Sequence, residues 1–288
     1  MPWPMDCATS AIRAMGERAL LSVRGLTVRS IAAPSRPIVD SISFDIGRER
    51  VGLVGESGSG KSLTARAVMG LLSRPLEALA ERLEFEGADL QSFTQRQWDR
   101  LRGSKMALVL QDARYALNPV LSIGRQIEEM LLLHDRTVDR MRRVREVLSA
   151  VGLADPGVVR AYPHQLSGGM GQRAMLAMML ANGPTLLIAD EPTSALDADL
   201  RTQVLELMCN GALTPSMGLL LISHDLQLVA RYCDRAIVLY RGRIVDQGSA
   251  AHLSNSDHPY TRALWSCAPS GRTHGSRLPV FDRRRIDP

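Results

Sequence analysis

Aromatic residues make up only 4% of the 288 residues, and nowhere are they interleaved with basic residues along a strand-like stretch. Surfaces that stack nucleobases need that combination, so a net charge of +5 does not by itself indicate a nucleic-acid partner. The arginines are spread along the chain. Arg140, Arg142, Arg143 and Arg145 fall with Glu146 in a stretch of helical spacing and read as a solvated helix face. No apolar run approaches the ~18 residues needed to cross a bilayer, which excludes a membrane channel built from this chain. The opening residues lack a basic region followed by an apolar core, so no secretory signal is expected. The four cysteines (Cys7, Cys209, Cys233, Cys267) lie far apart with no Cys-x-x-Cys, which fits reduced thiols of a cytosolic protein and not a disulfide frame or zinc site.

What the chain does have is a phosphate cradle. Gly55-Glu56-Ser57-Gly58-Ser59-Gly60-Lys61-Ser62 has P-loop spacing, with the apolar run Val51–Val54 before it as a buried strand and helical spacing from Leu63 to Leu72 after it. Glycines let successive N–H groups point at a phosphate beside the positive end of the helix. Lys61 is placed to reach the β- and γ-phosphates, and the Ser62 hydroxyl to sit on Mg²⁺. The chain is therefore expected to bind a nucleoside triphosphate.

Alternating apolar and polar residues over Leu20–Val28 and Ile38–Ile46 predict an antiparallel sheet ahead of the P-loop. Helical spacing from Ile123 to about Leu153 predicts an inserted helical subdomain. Fully apolar runs at Thr185–Ala189, Leu219–Ile222 and Ala236–Leu239, alternating with helical segments, predict a parallel sheet covered on both faces. One of these runs ends in two carboxylates, Asp190 and Glu191. The first suits a metal-holding role and the second can polarise a water attacking the γ-phosphate. Leu166-Ser167-Gly168-Gly169-Met170 opens a helix with Ser167 as its N-cap and free backbone N–H groups, a second candidate phosphate contact.

Together these motifs, in order, resemble the ATP-binding-cassette (ABC) ATPase family over roughly residues 20–268. Gln111 matches the Q-loop, Leu166–Met170 the signature motif with Met where Gln is common, Asp190 and Glu191 the magnesium and catalytic-base pair, Ser194-Ala195-Leu196-Asp197 the D-loop, and His224 the switch histidine. The resemblance implies an α/β fold: a P-loop NTPase cassette with a parallel core sheet, an N-terminal antiparallel β subdomain and an inserted α-helical subdomain at about 112–174. The cassette would span 19–254, between an N-terminal extension (1–18) and a C-terminal tail (255–288). It further implies ATP and Mg²⁺ as ligands. Glu191, His224 and Gln111 would be catalytic; Gly55 through Ser62, Leu63, Ser167, Gly168, Gly169 and Asp197 would contact the nucleotide; Ser62, Gln111 and Asp190 would hold the metal. Two cassettes would bind head to tail, each ATP lying between one P-loop and the partner's Ser167-Gly168-Gly169.

A narrower resemblance is to the peptide/nickel importer branch, carried by Gln111–Pro119 and by His258-Pro259-Tyr260-Thr261-Arg262-Ala263-Leu264. It implies a peripheral motor on the cytoplasmic face of the cell membrane, working with two membrane permeases, a second related ATPase and an extracytoplasmic binding protein, with no nucleic-acid partner. The competing reading is a soluble ABC ATPase acting on ribosomes or nucleic acid. Two departures stand out. No aromatic residue lies near Ser30, where the family stacks one on adenine, and only Cys267 follows the His-Pro-Tyr motif, which tips the cargo towards nickel or metal chelates. Gly171, inside the signature helix, is expected to answer to close packing or to a ligand. The segment Asp112–Ile127, with Tyr115, Leu117, Pro119, Val120 and Leu121 offered as apolar contacts, is the expected permease-docking surface.

Overall fold

The computed structural model describes residues 19–134, 139–194, 196–209 and 216–267. The N-terminal extension with Cys7, Ala195 of the D-loop and the tail beyond Cys267 lie outside the described residues. Among the described residues there are eleven strands: β1 (Leu21–Ser30), β2 (Val39–Ile46), β3 (Arg50–Val54), β4 (Leu76–Leu79), β5 (Arg82–Phe85), β6 (Ala88–Asp89), β7 (Met106–Val109), β8 (Leu186–Asp190), β9 (Gly218–Ser223), β10 (Arg235–Tyr240) and β11 (Arg243–Ser249). The helices are α1 (Lys61–Val68), α2 (Gln95–Leu101), α3 (Ile123–His134), α4 (Arg140–Ala150), α5 (Pro156–Arg160), α6 (Gly168–Leu180), α7 (Ala198–Cys209), α8 (Leu226–Tyr232) and α9 (Pro259–Ser266).

β1 alternates buried and half-exposed residues, as its sequence predicts, and pairs antiparallel with β2, β4 and β5. Its register against β2 slips between Val23 and Leu26, where Gly25 takes a φ of +60°, a bulge that re-aims the rest of the strand. The second sheet has the order β11-β10-β3-β9-β8-β7, all neighbours parallel except the β10–β11 hairpin at one edge. Its strands are apolar on both faces because both faces are covered: Leu186, Ile188, Leu220 and Ile222 join the core under the β subdomain, while Leu187, Ala189, Leu219 and Leu221 join the core under the helical side. Gly52 marks a close approach of helix to sheet, since a Cβ there would lie 2.2 Å from Val229 of α8.

The helical subdomain is an excursion, α3 to α6, between β7 and β8, which are adjacent strands. α1 stops at Val68, short of the Leu72 that periodicity predicts. Gly70 (φ +60°) closes it, with Gly70 N–H bonded to Ala67 O at 3.0 Å and Leu71 N–H to Arg66 O at 2.8 Å. That paired pattern satisfies the last carbonyls and needs a left-handed residue at Gly70. α6 begins where the sequence places it, after Ser167, which caps it by accepting from Met170 N–H at 3.3 Å.

Candidate active site

The loop from β3 into α1 is a tight crest. Two glycines in it admit no side chain: a Cβ on Gly55 would meet the Leu239 carbonyl oxygen at 2.1 Å, and Gly60 (φ +104°) presses on Val39 and Ile38. Lys61 is 5% exposed, and its ammonium donates to Gly55 O at 2.8 Å and Glu56 O at 2.9 Å. Burial lowers its pKa, while Glu191, Asp190 and Glu56 pull it back towards the ordinary range. Ser59 Oγ is buried in the crest with no hydrogen-bond partner among the described residues.

β8 delivers the carboxylates to this crest because two strands of the sheet carry them there: β8 pairs with β9, and β9 pairs with β3. Ser62 Oγ donates to Asp190 Oδ1 at 2.9 Å across 128 residues of sequence. Burial pushes the Asp190 carboxyl above its usual range, opposed by the Ser62 hydrogen bond. A hydroxyl and a carboxylate side by side form a hard oxygen donor set, which fits Mg²⁺. Glu191 follows in a left-handed turn (φ +46°), its N–H bonded to Ile222 O at 3.0 Å. Its Oε1 lies 3.3 Å from Nδ1 of His224, which stands one residue past β9. A small cavity of about 60 Å³ behind Glu191 and His224 has room for a water or two.

Lys61, Ser62, Asp190, Glu191 and His224 are thus assembled by one chain. Ser167, Gly168 and Gly169 are not part of that assembly: Ser167 spends its hydroxyl on its own helix, Gly168 opens onto free space, and Gly169 packs against Leu200. Asp197 caps α7, its Oδ1 accepting from Leu200 N–H at 2.9 Å. Gln111 is exposed, two residues past the end of β7. Sequence reading missed Gln172. It is buried in α6, and its amide donates to Pro192 O at 2.6 Å and, more weakly, to Leu110 O at 3.5 Å. One amide therefore ties the residue before Gln111 to the turn after Glu191. Its place on the buried face of α6, three residues past the glycine pair, was the available signal.

Two expectations need correction. Leu117 is not an exposed contact: it is 5% exposed and packs in the core, whereas Tyr115 (85%) and Val120 (74%) stand in solvent. The cause is the short 3₁₀ turn Ala113–Tyr115, which turns Ala113 and Leu117 inwards and the residues between and beyond outwards. Gly171 is not required by close packing, since a Cβ there would meet only the Cβ of Ala113, at 3.8 Å. Near Ser30 the chain offers Ile31, half-exposed, where an aromatic was absent from the sequence.

Residues 39–194 match the family model described as ABC transporter. The dipeptide transport ATP-binding protein DppD of Escherichia coli (strain K12) is 43% identical over 267 residues, covering 90% of this chain and 81% of that protein. The protein of the same name from Haemophilus influenzae is likewise 43% identical over 267 residues, with the same coverage of both chains. Among solved structures, the dimeric post-hydrolysis state of the ATP-binding cassette MJ0796 bound to ADP and Pi gives a TM-score of 0.70 at 24% identity, covering 80% of this chain and 98% of that one. cbiO1 from Clostridium perfringens, part of the ABC transporter complex cbiONQ, gives a TM-score of 0.72 at 23% identity, covering 83% and 92%. At those identities the likeness concerns the fold.

Proposed function

The chain belongs to the ABC transporter ATP-binding family, and from that premise we propose that it is the ATP-hydrolysing motor of a peptide importer. The family supplies the ATPase activity. The observation that carries the chemistry is the Ser62–Asp190 contact beside Glu191 and His224, which brings phosphate cradle, metal donors and a general base to one place. Lys61 leaves its carbonyl partners for the phosphates, and the crest amides hold the β-phosphate. Ser62 and Asp190 would hold Mg²⁺, which neutralises charge on the phosphates when bound. Glu191 takes the proton of the attacking water as the γ-phosphate bond breaks, giving ADP and phosphate. His224, beside Glu191, contacts the γ-phosphate and responds to its loss.

Peptide cargo is proposed because both relatives named above are dipeptide transport proteins. Ser167, Gly168 and Gly169, remote from this chain's own P-loop, suit the closing of a second cassette's nucleotide. That supports a head-to-tail dimer, proposed here as a heterodimer with a related ATPase. The remaining partners are two permeases and an extracytoplasmic binding protein, with the motor peripheral on the cytoplasmic face of the membrane. A groove of about 820 Å³, lined by Met69, Leu71, Met130 and Leu133 with Arg66 and Arg100, suits a short permease loop of apolar and acidic character.

The test is Glu191→Gln in the assembled transporter. ATP binding should survive, steady-state hydrolysis should vanish, and an ATP-closed dimer should accumulate, whereas Lys61→Ala should weaken binding itself. Near-normal turnover in Glu191→Gln, with the partner cassette made unable to hydrolyse ATP, would overturn the assignment.

A further inference from the structure

The His-Pro-Tyr segment opens α9, remote from the phosphate loop in sequence and in contact with it in space. Tyr260 is fully buried, its ring centroid 4.4 Å from that of Tyr240. Its hydroxyl oxygen accepts a hydrogen bond from the backbone N–H of Glu56 at 3.1 Å, across 204 residues. That N–H and the carbonyl of Gly55 belong to one peptide plane, and the carbonyl receives Lys61 Nζ at 2.8 Å. A peptide unit is planar and stiff, so a bond that fixes its N–H also fixes where its carbonyl points. The helix is itself anchored: Thr261 Oγ1 and Ser256 Oγ both donate to Asp246 Oδ2 on β11, the former at 2.7 Å. The β10–β11 turn adds a second brace, Gly242 N–H donating to Ser59 O at 3.0 Å.

From this geometry we propose that Tyr260 is a positioning residue for nucleotide binding, setting the Gly55–Glu56 peptide and through it the resting place of Lys61. The inference rests on the ATP-binding reading above and adds a role for the C-terminal helix within it. Tyr260 meets no phosphate. Its hydroxyl keeps the crest in the shape that receives one, so nucleotide does not have to order the loop on arrival.

Tyr260→Phe removes the hydroxyl and keeps the ring. Tyr240→Phe is the matched control, since the Tyr240 hydroxyl is buried with no hydrogen-bond partner among the described residues. In the assembled transporter, Tyr260→Phe should raise the KM for ATP about three- to ten-fold, the share of one neutral hydrogen bond, with kcat within about twofold of the parent. Tyr240→Phe should leave KM unchanged, and the two nucleotide-free variants should melt within about 3 °C of each other. Thr261→Val should raise KM by a smaller factor and add nothing to Tyr260→Phe, because both act along one route. An unchanged or lowered KM in Tyr260→Phe would overturn the proposal. So would a matched fall in kcat and melting point, or full additivity with Thr261→Val. If Lys61→Ala left ATP affinity intact in the parent chain, the ATP-binding reading itself would fall, and this inference with it.

Discussion

Replacing Gln172 by leucine keeps the volume of the side chain and removes its amide. The Pro192 carbonyl, buried beside the turn that carries Glu191, then loses a donor 2.6 Å away. Leaving a buried carbonyl unpaired costs about 1–3 kcal/mol, and the 3.5 Å contact to Leu110 O adds little at that length. At roughly 2–4 °C per kcal/mol for a chain of this size, the nucleotide-free melting midpoint should fall by about 2–12 °C. The same loss uncouples the segment before Gln111 from the turn after Glu191, so kcat of the assembled transporter should fall while the KM for ATP stays near the parent value. Glutamate at this position separates hydrogen bonding from shape. Only its protonated form can donate to Pro192, and burial beside carbonyl oxygens raises its folded-state pKa above the ordinary ~4.3. Because the folded value lies above the unfolded one, its stability is fully present below the unfolded pKa and is lost as pH rises through the folded one. The Gln172→Glu midpoint should therefore approach that of the parent at about pH 4, below the unfolded pKa, and fall away from it at about pH 8, a divergence that Gln172→Leu does not show. Scanning calorimetry at both pH values measures this. A leucine variant that melts and turns over like the parent would refute the claim that this amide braces the two segments.

Two further expectations can be checked directly. Gly171→Ala should raise the melting midpoint, because the helix interior gains about 0.5–1 kcal/mol over glycine and the new methyl meets only Ala113 at ordinary contact distance; a lowered midpoint in calorimetry would contradict it. A photo-crosslinker at Tyr115, which stands in solvent, should capture a permease cytoplasmic loop in a nucleotide-dependent way, whereas one at the buried Leu117 should not; equal capture from both would contradict the placement of this surface.

Much of the site was legible because its chemistry is written in contiguous residues. The crest from Gly55 to Ser62 needs its glycines and lysine in one turn, and Asp190-Glu191 needs a strand end, so spacing alone located both. The strand alternation of β1 and the apolar runs of β8, β9 and β10 were legible for the same reason: burial on one or both faces leaves a period. What escaped depends on partners distant in sequence. Gln172 reads as one more polar residue in a helix until Leu110 and Pro192, 62 and 20 residues away, are seen around it. Leu117 and Tyr115 were both offered as contacts from sequence, and only the 3₁₀ turn Ala113–Tyr115 decides which of them faces water. The His-Pro-Tyr segment was visible as a motif, but nothing local says that its tyrosine reaches Glu56. The end of α1 was open to a better reading, since Gly70 stood there as a stop signal that the apolar spacing through Leu72 obscured.

Among the described residues, the strand that carries the phosphate loop pairs within its sheet with late strands alone. β3 ends at Val54, yet it hydrogen-bonds to β9, which begins at Gly218, and to β10, which ends at Tyr240. On the ribosome, at roughly 5–20 residues per second, the loop emerges about ten to forty seconds before the sheet that shapes it can close. Through that interval β3 is without either of its sheet partners, and the cradle without the strands that flank it. The nascent chain is blind to nucleotide until nearly all of the cassette has been made, so ATP cannot guide its early folding and can only stabilise the finished product.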